Sequence, residues 1–158
     1  MKEKSCCFTG HRNIPTGKKK NVELLLEQLI KEKIAAGYRI FCTGGALGFD
    51  TMAAQAVLKL RSRFTDIQLH LYLPYPTQRE NWSEKDKAVY EQIKMLSDRC
   101  TYLCREYTPY CMSLRNRRLV DNSSACIAYC TQTTGGTVYT MNYAIDSGLD
   151  TVNMAVWA

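Results

Sequence analysis

Short apolar runs alternate with stretches of helical periodicity along the whole chain. Cys6-Cys7-Phe8 reads as a strand. Val22, Leu25, Leu29 and Ile30 then recur at helical spacing, which predicts a helix from Thr16 to Ala36 with Gly37 as its stop. Tyr38 to Cys42 is the next strand, and Ala53, Ala56, Val57 and Leu60 form another amphipathic face. Ile67 to Leu73 is a third strand closed by Pro74, and Val89, Ile93 and Leu96 mark a helix after Ser83. Arg99 to Cys104 is a short fourth strand. Thr108-Pro109 reads as an N-cap and N1 pair that opens a helix to Asn122. Ala125 to Cys130 is a strand. Val138, Met141, Asn142 and Ile145 place the last helix, Gly148 ends it, and Thr151 to Val156 is the final strand. No repeat, low-complexity segment or linker interrupts this alternation. It predicts one α/β domain over residues 1–158, with a mostly parallel sheet and helices on both faces.

In an open α/β sheet, ligands bind beyond the carboxyl ends of the strands, so the strand-to-helix turns carry the chemistry. Three stand out. Thr9-Gly10-His11-Arg12 follows the first strand, and His11 and Arg12 can both contact an anion there. In Thr43-Gly44-Gly45-Ala46-Leu47-Gly48-Phe49-Asp50, the glycines Gly44, Gly45 and Gly48 let backbone N–H groups line an anion site at a helix N-terminus. Asp50 either compensates the helix dipole or bonds a ribose hydroxyl or an amine. In Thr133-Thr134-Gly135-Gly136-Thr137, Gly135 and Gly136 can present backbone amides, and Thr137 either caps the helix or bonds a phosphate. A fourth element joins them. Met112, Asn116, Leu119 and Val120 share the inward face of a helix, and Arg115 borders that face. Polar groups placed there need partners: an anionic ligand, or a network with loop carbonyls. Arg117 and Asp121 read as a surface ion pair. Residues 74–83 form the longest irregular connection, where Tyr75 and Trp82 either stack on a base or cover a core or an interface.

Charge adds to this picture. The chain has 158 residues and a net charge of +6, which favours anionic partners such as nucleotides or nucleic acid. Eight cysteines would fit a disulfide framework or a metal site. No CxxC spacing occurs, and Cys6, Cys7, Cys42, Cys126 and Cys130 lie in or beside apolar runs, so buried free thiols are expected and no metal. No apolar run is long enough to span a membrane and no secretory core follows Met1, so a soluble cytoplasmic protein is expected.

The segments CCFTGHR, GGALGFD, NWSEKD, EYTPYCMSLRNRRLVDNS and GGTVYTMNYA, in this order and spacing, resemble the YpsA-like family of the SLOG superfamily. That superfamily is similar to the DNA-processing protein DprA and to the LOG phosphoribohydrolases. The resemblance covers nearly the whole chain. It implies a Rossmann-like fold, commonly a homodimer, and a nucleotide or nucleotide-derived ligand over Thr9 to Arg12, Gly44 to Asp50, Arg115-Asn116 and Gly135 to Thr137. LOG enzymes carry paired glutamates where this chain has Tyr139 and Thr140, and neither side chain can supply a carboxylate.

Three functions follow as expectations. The favoured one is binding or sensing of a nucleotide-derived small molecule, of the NAD or ADP-ribose kind, with no resident cofactor. The second is an N-glycoside hydrolase, for which His11 and Asp50 are the acid/base candidates. The third is DprA-like binding of single-stranded DNA, which would weaken steeply with salt.

Overall fold

The computed structural model describes residues 1–158. In chain order the elements are β1 (Ser5–Gly10), α1 (Lys19–Ala35), β2 (Ile40–Thr43), α2 (Phe49–Arg61), β3 (Gln68–Leu73), α3 (Glu84–Leu96), β4 (Arg99–Tyr102), α4 (Cys111–Asp121), β5 (Ala125–Tyr129), α5 (Gly136–Asp146) and β6 (Asp150–Asn153). All six strands are parallel, in the order β4-β3-β2-β1-β5-β6. The predicted α/β domain with helices on both faces is the observed architecture.

The four central strands are buried almost throughout, while β4 and β6, at the edges, are not. Strands covered on both faces read as continuous apolar runs, which is how they appear in the sequence. Helices α1, α2 and α3 pack on one face over the larger core, which includes Phe8, Val22, Leu26, Ile30, Phe41, Phe49 and Val57. Helices α4 and α5 pack together on the other face over a smaller core. Small side chains fill it: Cys7, Cys42 and Cys126 stand in register across three strands, beside Ala128 and Ala144. Burial pushes the Cys42 thiol well above its ordinary range. All eight cysteines are free.

Four local expectations are corrected. The predicted helix from Thr16 begins with a 3₁₀ turn, Thr16–Lys18, before α1. Thr108-Pro109 does not open α4. The Cys111 N–H donates to Thr108 O at 3.3 Å, so the pair forms a turn and the helix starts at Cys111. Proline's fixed φ suits the second position of such a turn as well as it suits N1. Helix α5 buries Thr140 and Ala144, whereas Asn142 and Ile145, predicted to face inward, are exposed. Close approach of α5 to the sheet selects small residues over large apolar ones. Finally, β6 ends at Asn153, whose side chain accepts from the Ala155 N–H at 3.2 Å and starts a 3₁₀ turn.

Candidate functional site

The strand order reverses between β1 and β5. The chain leaves β1 toward β2 and leaves β5 toward β6, so the connections diverge and open a crevice at the carboxyl ends of these two strands. A cleft of about 250 Å³ lies there. Its wall brings together Thr9, Gly10, His11 and Arg12 from the end of β1 with Asp50 of α2, Arg115 and Asn116 of α4, and Gly136 and Thr137 of α5. Gly44, Gly45, Gly48 and Gly135 do not line it.

Asp50 and Arg115 are the buried charges of the cleft, at 7% and 5% exposure. They form no direct ion pair. The Asp50 Oδ2 accepts from the Ala46 N–H at 3.1 Å, and its other carboxyl oxygen has no protein donor. Burial raises the Asp50 pKa, and the Arg115 charge and the Ala46 amide work against that rise. Arg115 donates through Nη1 to Gly44 O, through Nε to Asn116 Oδ1 at 2.7 Å, and through Nη2 to the Met112 sulfur at 3.7 Å. Burial lowers its pKa and Asp50 raises it.

The turn between β2 and α2 holds the two buried charges in place. Several of its polar groups are committed within the chain, while the N–H groups of Gly44, Gly45, Leu47 and Gly48 have no partner in it. Ala46 N–H binds Asp50, Gly44 O takes Arg115, Gly45 O accepts from Gln78 Nε2 at 3.4 Å, and the Phe49 N–H donates to His11 O at 3.0 Å. Gly44 is required because a Cβ there would run into the Arg115 guanidinium. Gly48 is required because its φ is +77° and its α-carbon faces the Arg12 backbone. The turn therefore positions Arg115 and Asp50, and of its residues Ala46 and Asp50 line this cleft.

The start of α5 presents free donors at the cleft wall. No side chain caps it, its first turn has no acidic residue, and the N–H groups of Gly136, Thr137 and Val138 have no partner in the chain. Thr137 is thus not a helix cap. Unpaired N–H groups and the helix dipole favour negative charge at this point. A Cβ on Gly136 would meet no atom within 4 Å, so packing within the chain does not require glycine there.

His11 bridges the two flanks. Its Nε2 accepts the Thr131 N–H at 2.9 Å, and its ring packs edge-on against Tyr129. Burial lowers its pKa, and because Nε2 accepts, the proton of the neutral ring is on Nδ1. With Nε2 engaged, His11 is a fixed donor and no longer a free base. Arg12 is exposed and also borders two adjoining clefts of about 450 Å³ each, one reaching Gly48 and the other Thr131.

Two residues that sequence reasoning passed over support the site. Gln78 is buried and also contacts the Tyr90 hydroxyl at 3.4 Å, holding the 74–83 connection against the β2–α2 turn. Asn153 pins the end of β5: it accepts from Cys130 N–H at 3.0 Å and donates to Cys130 O at 2.9 Å. A single amide side chain in a polar loop or strand carries no periodicity that could have exposed either role. Three other expectations resolve locally. Trp82 packs edge-on against Tyr90 at the core, and Tyr75 packs against Tyr107. Arg117 and Asp121 do not pair with each other. Tyr143 lies between them, its hydroxyl donating to Asp121 at 2.6 Å and its ring beneath Arg117. At the two positions where LOG enzymes have glutamate, Tyr139 is half exposed and Thr140 donates to Gly136 O at 2.8 Å. Asp50 is the only carboxylate of the cleft wall.

A doubly wound parallel sheet with a charged cleft at its switch point defines a Rossmann-like domain. Within that class the chain belongs to the YspA SLOG family, whose YpsA model matches residues 6–156. It is 28% identical over 134 residues to a UPF0398 protein of Bacillus cereus, covering 79% of this chain and 73% of that protein. A UPF0398 protein of Bacillus thuringiensis is 27% identical over 135 residues, with the same coverage. In structure, the chain is similar to DNA processing protein A from Streptococcus pneumoniae (TM-score 0.67, 16% identity, 95% of this chain) and from Helicobacter pylori (TM-score 0.61, 16% identity, 89% of this chain). It spans 50% and 60% of the length of those two chains, and the likeness at this identity is one of fold. No helix is long and apolar enough to cross a membrane.

Proposed function

We propose that the cleft between β1 and β5 binds a nucleotide or nucleotide-derived ligand by its sugar-phosphate portion. A phosphate sits on the free N–H groups of Gly136 and Thr137, with Arg115, Asn116 and the rim residue Arg12 adding donors. The free carboxyl oxygen of Asp50 accepts a ribose hydroxyl, and the His11 Nδ1–H donates to a ligand oxygen. Thr9 and Gly10 form the floor, while Gly44, Gly45, Gly48 and Gly135 shape the turns behind it. The observation that carries this reading is the pairing of an uncapped helix start with a buried, half-satisfied carboxylate across one small cleft. Membership of a SLOG family supports the same ligand class. A homodimer belongs to the reading as well: α4 and α5 leave Leu114, Tyr139 and Ile145 exposed, and a second copy would cover them.

The test is thermal unfolding against AMP, ADP, NAD and ADP-ribose, with chromatography of each mixture afterwards. A ligand at about 100 times its Kd adds roughly 2.7 kcal/mol to stability. The expected result is a shift with at least one nucleotide, lost in Asn116→Ala and weakened in Asp50→Asn, with the nucleotide intact. Breakdown of the nucleotide that Asp50→Asn abolishes would turn the reading toward N-glycoside hydrolysis with Asp50 as its carboxylate. Absence of any shift would reject the nucleotide reading and leave the DNA reading, since the Helicobacter relative is described as binding single-stranded DNA.

A further inference from the structure

The cleft described above lies at the carboxyl ends of the strands. A second and larger cavity, of about 580 Å³, lies at their amino ends, on the face that α4 and α5 cover. The starts of β2, β3 and β4 floor it, and Asn122 at the end of α4 stands at its wall. Register places Cys42, His70 and Arg99 side by side across those three strands, and all three line the cavity.

The charges there do not cancel. The one carboxylate of the lining is Asp66, and Arg39 Nε already holds it at 2.9 Å. Arg39 also donates through Nη1 to Ile34 O and Tyr38 O at 2.9 and 2.8 Å, so its Nε and Nη1 are engaged. Arg99 and Lys2, by contrast, enter no ion pair. His70 is buried and bonds the Gln68 Oε1 through Nε2 at 2.8 Å, which leaves Nδ1 without a protein partner. A guanidinium and an ammonium thus border one polar cavity with no counter-charge of their own, and the imidazole of His70, its Nε2–H donating to Gln68, lies beside them.

We propose that this cavity binds a compact anion, a phosphate or a small carboxylate, with Arg99 as the principal contact and Lys2 beside it. A guanidinium suits either group because its planar fork matches two oxygens at once. The site is separate from the nucleotide cleft and does not depend on that reading.

The chain has only two histidines, and they fall one at each cavity: His11 at the carboxyl ends and His70 at the amino ends. Their imidazole NMR signals therefore report on the two places independently, with His70→Gln assigning the pair. The probes are inorganic phosphate and succinate, each titrated at constant pH and ionic strength. The expected result is a saturable movement of the His70 signals, with Arg99→Ala weakening binding at least tenfold and Asn116→Ala leaving it unchanged. Response to phosphate alone or to succinate alone supports the site and names its class. Movement of the His11 signals only, no movement with either probe, or an Arg99→Ala response equal to that of the unaltered chain would each overturn it.

Discussion

A methyl group added at Gly44 would be driven into the Arg115 guanidinium, whereas one added at Gly136 would meet no atom of the chain within 4 Å. The two substitutions should therefore separate stability from binding. Gly44→Ala displaces a buried arginine and should cost about 1–3 kcal/mol, the usual range for overpacking. Gly136→Ala should leave stability unchanged or raise it by up to about 1 kcal/mol, because alanine is the better helix former. Its methyl group would occupy the space where a phosphate is proposed, so nucleotide affinity should fall. Denaturant unfolding and nucleotide titration of both variants check this, and unchanged affinity in Gly136→Ala would count against the phosphate placement. His11 gives a pH prediction. Its folded pKa lies below that of the unfolded chain because burial disfavours the charged ring. Between the two values the unfolded state holds more protons, so this contribution to stability is lost as pH falls through about 6.5. His70 acts with the same sign. His11→Gln keeps an acceptor for Thr131 N–H without titrating, and it should flatten, though not abolish, the loss of stability between pH 7 and pH 5 in urea unfolding.

Among the elements, the connection from β5 to α5 matters most for the cleft, because it sets where the free N–H groups of α5 point. Asn153 holds it through both hydrogen bonds to the Cys130 backbone. Asn153→Ala should cost about 1–3 kcal/mol, since it strands the Cys130 amide and carbonyl. It should also speed amide exchange over residues 130–136, read by mass spectrometry, while β1 to β3 keep their protection. The sequence announces most of these elements. Val22, Ile30, Ala53 and Val57 sit on the buried faces that their spacing predicts. It misleads where a residue has two local uses. Thr108-Pro109 serves a turn as readily as a helix start. In α5 the apolar residues Tyr139 and Ile145 lie outside, while Thr140 and Ala144 lie inside. Distance to the sheet, which no helical period records, decides that choice.

Across the whole molecule, the site exists only because the strand order turns back at β1. Residues 9–12, 50, 115–116 and 136–137 are remote in sequence and meet where β1 adjoins β5. Strand-to-helix turns rich in glycine pointed to most of them. They did not show that the glycines of the β2–α2 turn are committed to packing, because a glycine needed for a neighbour and one needed for a ligand are the same letter. The clearest consequence of the assembled fold is a coupling between Asp50 and Arg115. Each is buried, the two share no direct ion pair, and each moderates the effect of burial on the other. Asp50→Asn should alter stability little by itself: it keeps an acceptor for Ala46 N–H and removes a charge that burial disfavours, while Arg115 loses its compensating neighbour. Arg115→Met should cost about 1–3 kcal/mol, because Gly44 O loses its donor and the Asp50 carboxylate is left uncompensated. In the double variant that second penalty is absent, so its cost should be smaller than the sum of the single costs by about 0.5–3 kcal/mol, the range for groups that share a site. A double-mutant cycle by urea unfolding measures this directly. Additive costs would mean that the cleft is wet enough to screen the two charges from each other, and Arg115 would then serve only to hold the Gly44 turn.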